Sequence, residues 1–373
     1  MSPVFHCYIH IPFCHHICPY CAFYKHKPGK LANDAFIAAI LSQLDAEKSV
    51  LAEKLDTLYL GGGTPSLLSA VHLEALFRGL RPFISPETEV TLEANPATFD
   101  LKKARIMREI GINRISLGVQ SFQTGILKTL GRDHSGEDAK IAFEILREAG
   151  FTNISIDLMF SIPGQTESLW QEDLDIVTSE LKPGHVSCYN LTYEEDTEFL
   201  KRHESGELDE NEDRDANLFY QAIDHLEAAG FGHYEISNYG QSGFESRHNR
   251  AYWTGKDYLG LGPGAVSTIH GIRAKTLPDT AQFVESPTLK TEHETLTEED
   301  RRIEAIAMQL RTREGLRINR VCSTNEPCSI ETVLRSNPIE SMTQQGLIEI
   351  RDERIFLTRE GKALADPIAS ALI

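Results

Sequence analysis

The strongest constraint on the fold is a rhythm. Short apolar or β-branched runs recur at 7–11, 57–60, 89–94, 113–119, 153–160 and 185–191, with amphipathic stretches between them. In the stretch 136–149, helical spacing places Ile141, Ile145 and Ala149 on one face with Ala142 and Leu146, and Gly150 follows as a stop signal. Six strand-plus-helix units imply parallel strands joined by crossover helices. The expected class is α/β, and the count suits an incomplete (β/α)6 barrel better than a closed barrel of eight. No low-complexity linker interrupts it.

After about residue 285 the pattern changes. Residues 297–313 open with a capping threonine followed by acidic residues and read as a helix. A second helical stretch, 330–345, is interrupted near Asn337-Pro338, and 346–361 alternates around Asp352-Glu353 as a hairpin does. The expected organisation is a barrel domain over 1–285 and a smaller helical, winged-helix-like domain over 286–373. Its mixed charges favour a packing or docking module over a nucleic-acid reader, and the net charge of −18 on 373 residues argues the same way. No run approaches the roughly 20 apolar residues of a membrane span. Residues 1–6 lack the basic start and apolar run of a secretory signal, and no Arg-rich amphipathic start is present. The expected location is therefore the cytoplasm, where thiols stay reduced and seven cysteines make a poor disulfide framework.

Three of those cysteines form Cys14-x3-Cys18-x2-Cys21. Such a trio can hold zinc, with His15, His16 or His26 as fourth ligand, or three irons of a four-iron cluster. Zinc ligands usually come as two separated pairs, whereas this spacing wraps one loop around one cubic object. It leaves one iron without a protein thiolate, open to a substrate or cosubstrate. Cys7 and Cys188 sit in apolar strand runs and read as core residues; Cys322 and Cys328 are given no chemistry.

The cysteine spacing, just after the run "CYIHIPF", resembles the signature of radical S-adenosylmethionine (SAM) enzymes. That resemblance implies a 4Fe-4S cluster on Cys14, Cys18 and Cys21, whose free iron is chelated by SAM and whose electron splits the sulfonium to a 5′-deoxyadenosyl radical. The run "LYLGGGTPS" ends a strand in three glycines, a motif of the same family, although a tight strand-to-helix turn explains it about as well. Glu93 in "TLEANP", Gln120 in "SLGVQSF" and Asp157 in "SIDLMFSIPGQT" fall on later strands, Glu93 and Gln120 at their carboxyl ends, where parallel barrels build their sites.

Over most of 4–270 the chain resembles the oxygen-independent coproporphyrinogen III oxidases and their relatives. The resemblance implies that Tyr8, Tyr20, Gly62, Gly63, Thr64, Glu93, Gln120, Arg132 and Asp157 line the SAM site. In it Glu93 would accept from the amino group or a ribose hydroxyl, and Arg132 would pair with the carboxylate. Asp157 and Gln120 would hold the ribose, and Tyr20 would pack against adenine. Two departures point away from the oxidases: Phe23 stands where they carry a further cysteine, and the chain begins only 13 residues before Cys14, without their longer amino-terminal segment. The sequence "HNRAYW" at 248–253 instead resembles the His-Asn-x-x-Tyr-Trp motif of the oxidase-like heme chaperones, although Val266 stands where many of them carry a histidine. Membership there implies heme binding with His248 as axial ligand, delivery to respiratory heme proteins, and dimerisation. Radical decarboxylation of porphyrinogen propionates is the competing expectation, so whether the chain is an enzyme stays open.

Overall fold

The computed structural model describes residues 2–29, 33–322 and 329–373; Cys328 lies outside the described residues. Strands β1 (His6–Ile11), β2 (Thr57–Gly62), β3 (Glu89–Ala94), β4 (Arg114–Gln120), β5 (Asn153–Phe160) and β6 (His185–Asn190) lie side by side in sequence order. Each neighbouring pair is parallel. The chain thus adopts the α/β architecture with six parallel strands that the alternation calls for. Three short strands extend the sheet. The hairpin β7 (Gly232–Glu235) and β8 (Asn238–Gly240) runs antiparallel beside β6, and β9 (Leu259–Leu261) pairs parallel with the outer edge of β1.

The two faces of this sheet differ in chemistry because side chains alternate along a strand. Ile9, Leu58, Leu92, Leu117, Ile156 and Val186 point to the helices and are buried in one continuous core with Phe36, Leu76, Phe143 and Trp170. Burying each such side chain is worth roughly 1.5–3 kcal/mol. The alternate residues are polar: Tyr8 and His10 on β1, Tyr59 on β2, Glu93 on β3, Ser116 on β4, Asp157 on β5 and Ser187 on β6. They face inward and give the barrel a hydrogen-bonding lumen.

The helix Gly136–Glu148 begins at Ser135, whose side chain forms a reciprocal capping box with Asp138. Its buried stripe is Ala139, Ala142, Phe143 and Leu146. Ile141, placed on that face by spacing, is instead 50% exposed. It lies one helical step, about 100°, from Ala142, which carries it off the stripe.

Beyond the barrel, β10 (Val266–Ile269), β11 (Ile272–Thr276) and β12 (Lys290–Thr295) form a small antiparallel sheet. The helix Glu298–Gln309 starts at a Thr297–Asp300 capping box. Then come β13 (Leu316–Arg317), the helices Ile330–Leu334 and Asn337–Gln344, and the hairpin β14 (Ile348–Arg351) and β15 (Arg354–Leu357), in sheet order β13-β15-β14. Asp352 and Glu353 both have left-handed φ, 50° and 56°, as a two-residue hairpin turn requires. Ile306, Leu310, Ile339, Ile348, Ile355 and Ile368 form a second hydrophobic core here.

Candidate functional site

The cysteines lie on the loop that follows β1. Its base is closed by two backbone hydrogen bonds, from Cys14 N to His26 O at 3.0 Å and from His26 N to Pro12 O at 2.8 Å. The glycine run braces it from β2: Gly63 N donates to Ile11 O and Thr64 N to Phe13 O, each at 2.8 Å. A Cβ on Gly63 would stand 2.8 Å from Ile11 O and from the carbonyl carbon of Pro12, and Gly62 has φ +108°. Gly63 is therefore required by the neighbouring backbone, and Gly62 by its own positive φ and the His10 ring beside it, apart from any ligand.

Cys14, Cys18 and Cys21 are free, half-buried thiols on the wall of a cavity of about 390 Å³. Among the described residues no three His, Cys, Asp or Glu side chains converge as the ligands of one ion do; a four-iron cube asks instead for one thiolate at each of three corners. His26 is committed elsewhere, with Nε2 2.7 Å from Thr280 Oγ1 and Nδ1 2.8 Å from Lys27 O. Cys7 and Cys188 are buried in the core, where desolvation pushes both thiols up, Cys7 to about 12.

The same cavity gathers Tyr20, Gly62, Gly63, Thr64, Glu93, Gln120, Arg132 and Asp157. Thr64 Oγ1 donates to Cys14 Sγ at 3.5 Å. Arg132 Nη1 approaches Cys18 Sγ at 3.6 Å while Nη2 donates to Gly118 O at 2.7 Å, and no carboxylate lies within ion-pair reach of it among the described residues. Glu93 accepts from Tyr59 OH at 2.8 Å and from Gly62 N at 3.0 Å, again with no cation paired to it. Asp157 accepts from the hydroxyls of Ser116, Ser155 and Ser187. Gln120 follows a register shift at the end of β4 and has left-handed φ, 68°, a local strain that turns it out of the strand's alternation.

Burial dominates the electrostatics. It lifts the Glu93 carboxyl to about 7, against the lowering by Tyr59 and Gly62. Asp157 is likewise raised by burial, partly offset by its serine donors. The cavity thus offers an unpaired guanidinium near the thiols and two carboxyls held by neutral donors. That donor set fits the zwitterionic amino-acid end and ribose hydroxyls of SAM beside a cluster.

Two expected residues lie off the cavity wall. Tyr8 stands on the inner face of β1, its hydroxyl 3.0 Å from His10 Nδ1. His248, on the helix Arg247–Trp253, is only 1% exposed and packs at the opposite end of the barrel, beside Thr57 at the start of β2. Its Nδ1 shares a 2.7 Å hydrogen bond with Thr57 Oγ1, and its Nε2 is buried with no hydrogen-bond partner among the described residues. Burial holds the imidazole neutral, its pKa lowered to about 3. Tyr59, Ser116, Met159 and Tyr189 also line the cavity, and the sequence reading missed them. All four lie in strand runs on the same every-second-residue face as Glu93 and Asp157, which was the available signal.

The Radical SAM superfamily profile matches residues 8–177 and the HemN C-terminal domain profile matches 296–364. Heme chaperone HemW of Lactococcus lactis subsp. lactis is 37% identical over 97% of this chain and 95% of its own length. The chain belongs to the HemW-like group of the radical SAM superfamily. Heme chaperone HemW of Bacillus subtilis is 32% identical over 98% of both chains. The solved coproporphyrinogen III oxidase HemN of Escherichia coli, a radical SAM enzyme, superimposes with a TM-score of 0.82 over 100% of this chain and 90% of that one; at 22% identity this is a likeness of fold. Membership of the radical SAM superfamily implies a 4Fe-4S cluster and SAM. Among the described residues no helix is long and apolar enough to cross a membrane.

Proposed function

We propose that this chain is a heme chaperone of the radical SAM type that carries heme to respiratory heme proteins. The observation that carries the cofactor assignment is the meeting of three free thiols with an unpaired Arg132 and an uncompensated Glu93 on one cavity wall. Heme as cargo is taken from the relatives named heme chaperones, one of them matched over 95% of its length.

In this reading Cys14, Cys18 and Cys21 bind the cluster. Arg132 takes the SAM carboxylate, Glu93 the amino group, Asp157 and Gln120 the ribose hydroxyls, and Tyr20 the adenine. Gly62, Gly63 and Thr64 shape the wall, and Tyr8 supports it from the lumen. When bound, cluster and SAM supply one-electron cleavage of the sulfonium. The chain's own residues orient the cosubstrate and keep its charged end desolvated against matched partners.

His248 is the proposed axial ligand of heme. Its neutral imidazole has the right form, and ligation through Nε2 requires the helix Arg247–Trp253 to swing away from the barrel floor. The reading further places the protein in the cytoplasm, working as a dimer, with a barrel domain over 1–285 and a partner-docking domain over 286–373.

Heme titration of the anaerobically reconstituted protein tests the proposal. A shifted Soret band that weakens in His248→Ala supports it, and no spectral change on adding heme refutes it. Conversion of coproporphyrinogen to protoporphyrinogen with SAM and reductant would replace it with the oxidase reading, which the 70% exposed Phe23 in place of a cysteine disfavours.

A further inference from the structure

The two ends of the barrel are joined by one side chain. Tyr59 points into the lumen from the middle of β2, and its hydroxyl donates to Glu93 Oε1 at 2.8 Å on the cavity side. The other side of its ring stacks on His248, with centroids 5.0 Å apart and planes at 26°. Two residues earlier on the same strand, Thr57 holds His248 Nδ1 at 2.7 Å. Among the described residues the imidazole has no other side-chain hydrogen bond, because Nε2 is buried and unpartnered. Its orientation is therefore set by Thr57, by the Tyr59 face and by edge contacts with Tyr252 at 4.7 Å and with His6 at 6.5 Å. The first turn of the same helix is gripped from β3, where Glu89 accepts from the backbone N–H groups of Arg247 and His248 at 3.2 and 3.1 Å.

We propose that Tyr59 is a positioning residue that couples occupancy of the Glu93 side of the cavity to the helix Arg247–Trp253. The inference rests on the proposed reading that a cationic amino group binds at Glu93. When it arrives, the carboxylate turns toward it and the Tyr59 hydroxyl follows its acceptor. The ring then moves against His248, which is buried against Thr57 and Tyr252 and so passes the displacement to the helix that carries it. Coupling of this kind is reciprocal, so a ligand at His248 changes the affinity for the amino-acid ligand by the same factor.

The test uses the full chain with its cluster reconstituted, as wild type and as Tyr59→Phe, which keeps the stacked ring and removes only the hydroxyl. Amide hydrogen exchange over 247–253 is measured with and without SAM, whose binding is followed by calorimetry. In the wild type, SAM is expected to change the exchange rate in this segment by about fivefold or more. Tyr59→Phe is expected to bind SAM and leave the segment within twofold of its SAM-free rate. An unchanged wild-type segment, a full response in Tyr59→Phe, or no SAM binding to the wild type overturns the proposal. A parallel heme titration separates the two levels: a wild type that shifts the Soret band but lacks the exchange response retains the chaperone reading and loses the coupling.

Discussion

Arg132 holds Nη1 3.6 Å from the sulfur of Cys18 while its Nη2 is anchored 2.7 Å from the carbonyl of Gly118. A cation fixed between the Cys18 thiol and the end of β4, with no carboxylate paired to it among the described residues, is complementary to an anionic group bound in the cavity. Charge-assisted hydrogen bonds are worth about 1.5–3 kcal/mol. Arg132→Ala should therefore weaken SAM binding by about 10- to 100-fold while iron content stays at the wild-type level. Calorimetry beside iron analysis reads both, and unchanged SAM affinity would remove the assigned role.

Glu93 gives a pH signature of its own. Its carboxyl is raised by burial from 4.5 to about 7, so between those values the folded state holds a proton that the unfolded chain has lost. Stability of the ligand-free protein therefore falls as pH rises through this window and levels off above it. Glu93→Gln removes that cost. Its stability relative to wild type should be greater at pH 8 than at pH 4.5 by about 3 kcal/mol, a little less than the full shift implies because the unfolded carboxyl is already half ionised at pH 4.5. Urea unfolding at the two pH values checks this, and the same variant should bind SAM more weakly. A relative stability independent of pH would contradict the burial assigned to Glu93.

Gly63 is constrained by backbone on three sides: a Cβ there would stand 2.8 Å from Ile11 O and from Pro12 C, and 2.9 Å from Phe13 O. Gly63→Ala must push the cysteine loop away from β2, at a cost of about 1–3 kcal/mol. Iron incorporation should fall with it. Gly29, whose Cβ would meet nothing within 4 Å, supplies the control, and equal iron loading in both variants would show that the loop does not depend on this contact.

Much of this was legible in the sequence for a definite physical reason. A strand covered by helices on one face needs a continuous apolar side, and all six parallel strands announced themselves within two residues at each end. The three-to-four-residue strands β7, β8 and β9 did not, because so short a run carries no period to read. Glu93 and Gln120 came with quoted motifs and Arg132 with the resemblance alone, and all three line the cavity; Tyr59 was missed because its contacts depend on register with β3 and on a helix nearly 190 positions away. His248 came with the resemblance of its segment, and only the fold places it at the far end of the barrel, stacked on Tyr59.

Three thiols of one loop are proposed to hold a four-iron cluster with one iron left open to SAM. Electron paramagnetic resonance of the anaerobically reconstituted, reduced protein tests it most directly. The expected result is a cluster signal that shifts on adding SAM and is lost in Cys18→Ala, with about four irons per chain by iron analysis of the same sample. A protein that takes up stoichiometric zinc and shows no iron-cluster signal would contradict it.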